Sequence, residues 1–381
     1  MADSDKKTVL LITKGGFPAT DRRAWSGIPF SLRQQLEKQF NVVDYCINRK
    51  VSLLALVKTF VFRNCLKSFV SIQLLKSFAK KESKAVDKLI NKTKCDCVLA
   101  TDVSSAGAIA YCNSFIPFVL FIDCVVEDMI DYYWFNVRKP IAQEMNTVLK
   151  KAMDNCAAIA LTSNWAKNGA MNSYEIPENK IRVIPMGANL EVNDFHHEKH
   201  EGINLLFVGV DWERKGADIA IECVRCLNET DHNHRYTLHL VGCNPPRNIS
   251  SSDVKLYGFL NRNLPQERDL LEKLRANADF FILPTKAESA GIVFCEACAY
   301  GLPSITYDTG GVGDYVINDY NGYRLPLGSD GKEFARKIIE YVNDSDKVSR
   351  MKANARRLYE DKLNWNSTGE KLRSLIFELI Q

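Results

Sequence analysis

The chain has 381 residues, too many for one ordinary hydrophobic core and enough for two domains of about 180 residues each. Its 46% hydrophobic and 25% charged residues are those of a soluble globular protein, and a net charge of +4 tolerates anionic partners without demanding nucleic acid. The opening apolar run is too short for a signal peptide, and no stretch approaches the eighteen or so apolar residues of a membrane span. Twelve cysteines in such a chain predict free thiols in a reducing cytoplasm.

Val9 to Thr13 reads as a first β-strand, with a helix from about Pro29 to Gln39 behind it. The loop between them ends in Asp21-Arg22-Arg23-Ala24-Trp25-Ser26-Gly27-Ile28-Pro29. Gly27 allows close backbone approach, and Ser26 can cap a helix whose free N–H groups point at an incoming anion. An ordinary strand-to-helix connection is the plainer alternative. Residues 49–81, from Arg49 onward, carry no acidic residue, and Phe60, Phe62, Phe69 and Phe78 alternate with Lys58, Arg63, Lys67 and Lys76. That pattern fits either a helical pair covering the N-terminal sheet or a peripheral membrane surface that attracts anionic lipid. Cys97 to Thr101 and Phe118 to Ile122 predict two more buried strands. The second ends in Asp123, with Glu127, Asp128 and Asp131 close behind and then Tyr132-Tyr133-Trp134-Phe135. Acids and rings just past a strand can hold a sugar, and they can equally be a capped helix with a buried aromatic face. A helix around Gln143 to Asn155 leads to a strand at Ala157–Leu161. The polar run 190–202 is read as a linker, where His196, His197 and His200 are expected to be solvated rather than metal-bound.

A new strand at Asn204–Val208 opens the second half, followed by the loop Gly209-Val210-Asp211-Trp212-Glu213-Arg214-Lys215-Gly216 and a helix over Ala217–Leu227. Repeating the strand-then-glycine-loop opening implies two similar doubly wound halves. Tyr236–Val241 and Val254–Phe259 add strands, and so does Phe280–Leu283. After Pro284-Thr285, Glu288-Ser289-Ala290-Gly291 leads into an apolar helix from Ile292 to Tyr300, stopped by Gly301-Leu302-Pro303. Ser304–Tyr307 is the next strand, and Thr309-Gly310-Gly311-Val312-Gly313 the turn beyond it. Glu288 and Glu296 therefore face the same end of the sheet, the first at its rim and the second deeper; the plain reading of Glu288 alone is a helix cap. From Lys332 to Gln381 the pattern is helical.

Two other patterns invite a metal. Cys223-x-x-Cys226 and Cys295-x-x-Cys298 lie within apolar helix patterns without the turn glycines of a zinc knuckle. Asp344-Ser345-Asp346 follows a helix rather than a strand and reads as a cap. No phosphate-loop signature is present.

The run from Glu288 to Glu296, in its setting of Pro284-Thr285, Ala299–Pro303 and Gly310-Gly311, resembles the Glu-x7-Glu motif of retaining glycosyltransferases of family 4. Trp25-Ser26-Gly27-Ile28-Pro29, the segments from Thr162 and Lys180, and Trp365 are similar to the same family. The resemblance implies an α/β protein of two facing Rossmann-like domains, the GT-B fold, with an interdomain cleft. It implies an acceptor domain over 1–189, a nucleotide-sugar domain over 203–364, and a final helix from about 365 crossing back to the first domain. The implied activity moves a sugar from a UDP- or GDP-linked donor to a hydroxyl of a glycan or lipid-linked acceptor, without cofactor or metal.

Four side chains are expected at the reacting centre. Lys215 and Arg214 would hold the diphosphate, Glu288 the donor sugar's hydroxyls, and Asp123 would act beside them. Glu296 would bind the ribose. Gly209, Ser289, Ala290, Gly291 and Ile292 would line the donor site, where Gly311 and Val312 add backbone N–H groups. Trp25, Ser26 and Gly27 would form the acceptor and phosphate loop. Val210 stands where the family commonly has arginine. That departure leaves room for a silent nucleotide-sugar-binding subunit, and the architecture also admits a nucleotide-sugar epimerase.

Overall fold

The computed structural model describes residues 6–47, 53–190, 200–246, 249 and 251–381. Arg49, His196 and His197 lie outside the described residues. The chain divides into two compact units, one of Met1–Asn189 with Trp365–Gln381, the other of Leu190–Asn364.

Among its described residues the first unit holds a six-stranded sheet of β1 (Thr8–Thr13), β2 (Asn41–Cys46), β3 (Cys97–Thr101), β4 (Phe118–Ile122), β5 (Ala158–Leu161) and β6 (Ile181–Val183). Their order is β2-β1-β3-β4-β5-β6, and every pairing is parallel. Strands β3, β4 and β5 are buried along their whole length, which is why they read as unbroken apolar runs. The helix Lys139–Asn155 covers the sheet through Ile141, Met145, Val148 and Leu149. The basic segment forms the helix Leu53–Phe60, a wide turn at Val61–Cys65 and the helix Lys76–Thr93. Its inner side joins the core through Ala55, Leu74, Leu75 and Phe78.

The C-terminal helix Trp365–Ile380 belongs to this unit. Trp365 donates from Nε1 to Asn189 Oδ1 at 2.8 Å, and Thr368 donates to the Pro185 carbonyl at 2.8 Å. Phe377 packs on Phe40 with ring centres 4.7 Å apart.

The second unit repeats the plan. Its described strands are β7 (Ile203–Val208), β8 (Tyr236–Val241), β9 (Val254–Gly258), β10 (Phe280–Leu283), β11 (Ser304–Tyr307) and β12 (Gly322–Leu325), ordered β12-β11-β10-β7-β8-β9 and parallel throughout. Asp344 caps the helix Ser345–Asp361 by accepting from the Lys347 N–H, as the sequence predicts. Cys223 and Cys226 are buried in the helix Ala217–Thr230, and Cys295 and Cys298 in the helix Ile292–Ala299. Burial pushes the Cys298 thiol up to about 12, so the thiol stays protonated at neutral pH.

Candidate active site

In the second unit β7 has β8 on one side and β10 on the other. The winding reverses between β7 and β10, and open parallel sheets bind ligands outside the carboxyl ends of the strands at such a point. Two loops leave there. Gly216 ends the first with φ +74°, and a Cβ on it would fall 2.1 Å from the Pro284 carbonyl oxygen, so only glycine lets the loops close up. The Lys286 N–H donates to the Arg214 carbonyl at 2.8 Å, and Arg214 Nη1 donates to the Ala287 carbonyl at 3.0 Å. On this backing the Lys215 ammonium and the Glu288 carboxylate form an ion pair. Their side chains are only 10% and 13% exposed. A Cβ at Gly209 would lie 2.9 Å from Lys215 Cγ, so that glycine makes room for the lysine stem.

Glu288 is therefore not a helix cap. The helix Ile292–Ala299 starts from Gly291, left-handed at φ +90°, without a side-chain cap. Ser289, Ala290 and Gly291, the loop before this helix, are buried, and Ile292 is half-buried. The expected donors at Gly311 and Val312 need correction. The Gly311 N–H is taken by the Glu288 carbonyl at 3.0 Å and the Val312 N–H by the Thr309 carbonyl at 3.2 Å. The first ties the turn Gly310–Asp314 to the loop at Glu288 and the second closes the turn itself, so both N–H groups are already bonded within the protein.

Glu296 is 1% exposed and held by two arginines. Arg262 binds it with both branches, Nη1 to Oε1 at 2.7 Å and Nη2 to Oε2 at 2.9 Å, and Arg275 Nη2 reaches Oε2 at 2.5 Å. Burial alone would raise this carboxyl, but the two guanidiniums outweigh it and hold Glu296 below the usual range. Arg275 is buried with it, whereas the Arg262 side chain is 40% exposed. Neither arginine stands out in the sequence, since each lies more than twenty residues before its partner.

The first unit has its own reversal, between β1 and β3. Lys14, just past β1, and Asp102, just past β3, meet there with Nζ to Oδ2 at 3.0 Å. Sequence reasoning missed this pair, although a lysine before Gly15-Gly16 and an acid directly after a strand were both in view. Nearby, Ser26 does not cap the following helix. Gly27 is the N-cap residue of Ile28–Leu36, at φ +86°. Trp25 and Ser26 precede it in left-handed conformations, at φ +37° and +57°. Such strain persists only where neighbours fix it, and here Asn189 Nδ2 donates to the Ser26 carbonyl. The two arginines stack away from Trp25, Arg22 over Phe30 at 4.6 Å and Arg23 over Phe17 at 4.3 Å.

Asp123 is half-buried at the carboxyl end of β4. The acids after it do not cap the short helix Val126–Met129, whose N-cap is Val125, while Tyr133 and Trp134 pack on the core. Burial and the neighbouring Glu127 push Asp128 up to about 6. His200 lies 3.6 Å from Asp279. Among the described residues no group of three or more His, Cys, Asp or Glu is arranged to hold a metal.

Two doubly wound units, each with a lysine–carboxylate pair at its own reversal point, form an α/β chain similar in fold to solved glycosyltransferases of the GT-B kind. Residues 191–358, most of the second unit, match the family described as glycosyl transferases group 1. The chain is 26% identical over 242 residues to an uncharacterized glycosyltransferase, MJ1178, of Methanocaldococcus jannaschii, a match spanning 60% of this chain and 62% of that one. It is 36% identical over 114 residues to the lipopolysaccharide glucosyltransferase WaaG of Escherichia coli, 30% of each chain. In fold it is similar to Anabaena HepE, solved in complex with UDP, with a TM-score of 0.66 at 15% identity over 98% of this chain and all of that one.

Proposed function

We propose that the protein is a retaining glycosyltransferase. It moves a sugar from a nucleoside-diphosphate sugar to a hydroxyl of a glycan or lipid-linked acceptor, without a metal. The observation that carries this reading is the buried Lys215–Glu288 pair at the reversal point of the unit that matches the transferase family. When the bond to the diphosphate breaks, negative charge gathers on the phosphates, and a preorganised ammonium in a low-dielectric crevice is suited to stabilise it. The carboxylate then serves as acceptor for hydroxyls of the donor sugar. Glu296 binds the ribose once the half-exposed Arg262 swings aside, with Arg275 keeping the buried charge compensated. The UDP in the HepE structure makes uridine donors the first to try, with guanosine donors next.

The test begins with thermal shift over a panel of nucleotide sugars, because a bound donor stabilises the fold by mass action. Turnover of the best donor is then measured with a panel of hydroxyl acceptors. Lys215→Ala and Glu288→Ala, checked for native circular dichroism, are each expected to lower it roughly 10²–10³-fold. Wild-type turnover in folded Lys215→Ala would refute the assignment. A second reading, a nucleotide-sugar-binding subunit without turnover, is favoured by the arginine grip on both Glu296 oxygens. That reading requires donor binding with no release of nucleoside diphosphate. Appearance of an isomerised nucleotide sugar would point instead to an epimerase.

A further inference from the structure

The outer face of the basic segment is apolar and uncovered. Leu53, Leu56, Val57, Phe60 and Val61 follow one another at the three- and four-residue spacing that puts them on one side of the helix Leu53–Phe60 and the turn after it. All five are exposed, Leu53 by 77% and Phe60 by 60%. The opposite side is the one that packs, through Ala55 and Phe62. A second loop extends the patch. Arg138 donates its backbone N–H to Ser68 Oγ at 2.9 Å, which brings Phe135, 60% exposed, into the neighbourhood of exposed Leu66.

Charge says what fits there. Residues 53–81 hold six Lys and Arg and no Asp or Glu; the whole chain nets +4, so the rest of it nets −2. Lys58 is tied to Glu144, which leaves Arg63 and Lys67 exposed beside the stripe, with Arg138 and Lys139 exposed at the start of the adjoining helix. A second copy of the chain is a poor occupant. A two-fold contact sets each patch against itself, cation facing cation without an acid from the segment to relieve it. A surface that is apolar within and anionic at its edge satisfies both features, because the rings and aliphatics bury while the long cationic side chains reach the charged rim.

We propose that this face docks the protein on an anionic lipid bilayer, lying in the interface without spanning it. No described helix is long and apolar enough to cross a membrane, so attachment is peripheral and reversible. The inference concerns the first unit alone and stands whether or not the sugar-transfer reading holds.

The test is flotation of the full chain with vesicles of phosphatidylcholine alone and of phosphatidylcholine mixed with phosphatidylglycerol, at low and high salt. Binding is expected on the anionic vesicles at low salt, with weakening at high salt and on neutral lipid. Each cation near an anionic surface is worth about fivefold in affinity. Arg63→Glu with Lys67→Glu should therefore cost about 25-fold or more. Leu56→Asp with Phe60→Asp should abolish binding, and its melting temperature should stay at the wild-type value because both side chains are exposed. The proposal is overturned if the wild type fails to float with anionic vesicles, floats equally with neutral ones, or floats unchanged after Leu56→Asp with Phe60→Asp. It is likewise overturned if the wild type forms a dimer that this variant dissolves.

Discussion

Replacing Glu296 by glutamine separates what the residue does for the fold from what it does for a ligand. The substitution keeps the shape and removes the charge that two arginines share. Arg275, itself buried, is then left without a counter-charge, and breaking a buried ion pair from one side costs roughly 3–5 kcal/mol. For a domain of 150–250 residues each kcal/mol moves the midpoint by about 2–4 °C, so the second unit should melt roughly 6–20 °C lower. Arg262→Ala is the internal control. Its side chain is partly exposed and Arg275 still compensates the carboxylate, so the loss should be clearly smaller than that of Glu296→Gln. Calorimetry resolving the transition of the second unit measures both. The depressed carboxyl adds a pH signature. Its folded value lies below its unfolded one, so its stabilisation is complete above about pH 4.5 and fades as pH falls through the folded value. Wild type and Glu296→Gln should therefore converge in acid. Equal melting at neutral pH, or an Arg262→Ala loss as large as that of Glu296→Gln, would refute the assignment of Arg275 as the structural partner and Arg262 as the detachable one.

Sugar transfer should survive exhaustive EDTA treatment, since Lys215 and Arg214 supply cationic charge at the crevice; complete loss restored by Mn²⁺ would redirect attention to Asp123, Glu127 and Asp128. Asp128→Asn should stabilise the protein above pH 6 and have no effect below pH 4. Its carboxyl is raised to about 6, so the penalty of burying the charge appears only as pH climbs from the unfolded value through the folded one. Melting temperatures across that range check it, and a constant difference at all pH values would show that burial of Asp128 is not the cause.

Much of the fold was legible because its central strands are buried on both faces. β3, β4, β8, β10 and β11 fall where their apolar runs place them, to the residue. The strands sequence reasoning did not name are β2, β6 and β12, all at sheet edges. β2 carries Asp44 and is half-buried along its length, and β6 has only three residues, so neither presents the pattern of a buried strand. The site was legible in part. Lys215 and Glu288, more than seventy residues apart, do meet. The turn at Gly310–Asp314 was misread because glycine-rich composition reports which backbone shapes are allowed and is silent on which N–H groups are already spoken for. Arg262 and Arg275 were invisible for another reason: a buried carboxylate finds its counter-charges by packing across elements, and no spacing rule encodes that.

The two reversal points use the same device with different exposure, and exposure decides what each can do. In both units the lysine comes from the loop after the first strand and the acid from the loop after the neighbouring strand, because only there do adjacent loops diverge enough to leave a crevice. Lys14 is 43% exposed, whereas its partner Asp102 is 9% exposed and also accepts from the Ser104 N–H, so the ammonium is the more detachable member of that pair. Lys215 and Glu288 are both enclosed, and neither can part from the other unless another charge takes its place. On the proposed sugar-transfer reading, an incoming diphosphate would supply such a charge to the lysine, and the sugar hydroxyls would supply donors to the carboxylate. The second pair would then stay intact until a ligand bearing both groups arrives, whereas the lysine of the first is already half in water. That asymmetry is a physical reason to expect donor selectivity in the second unit and tolerance in the first.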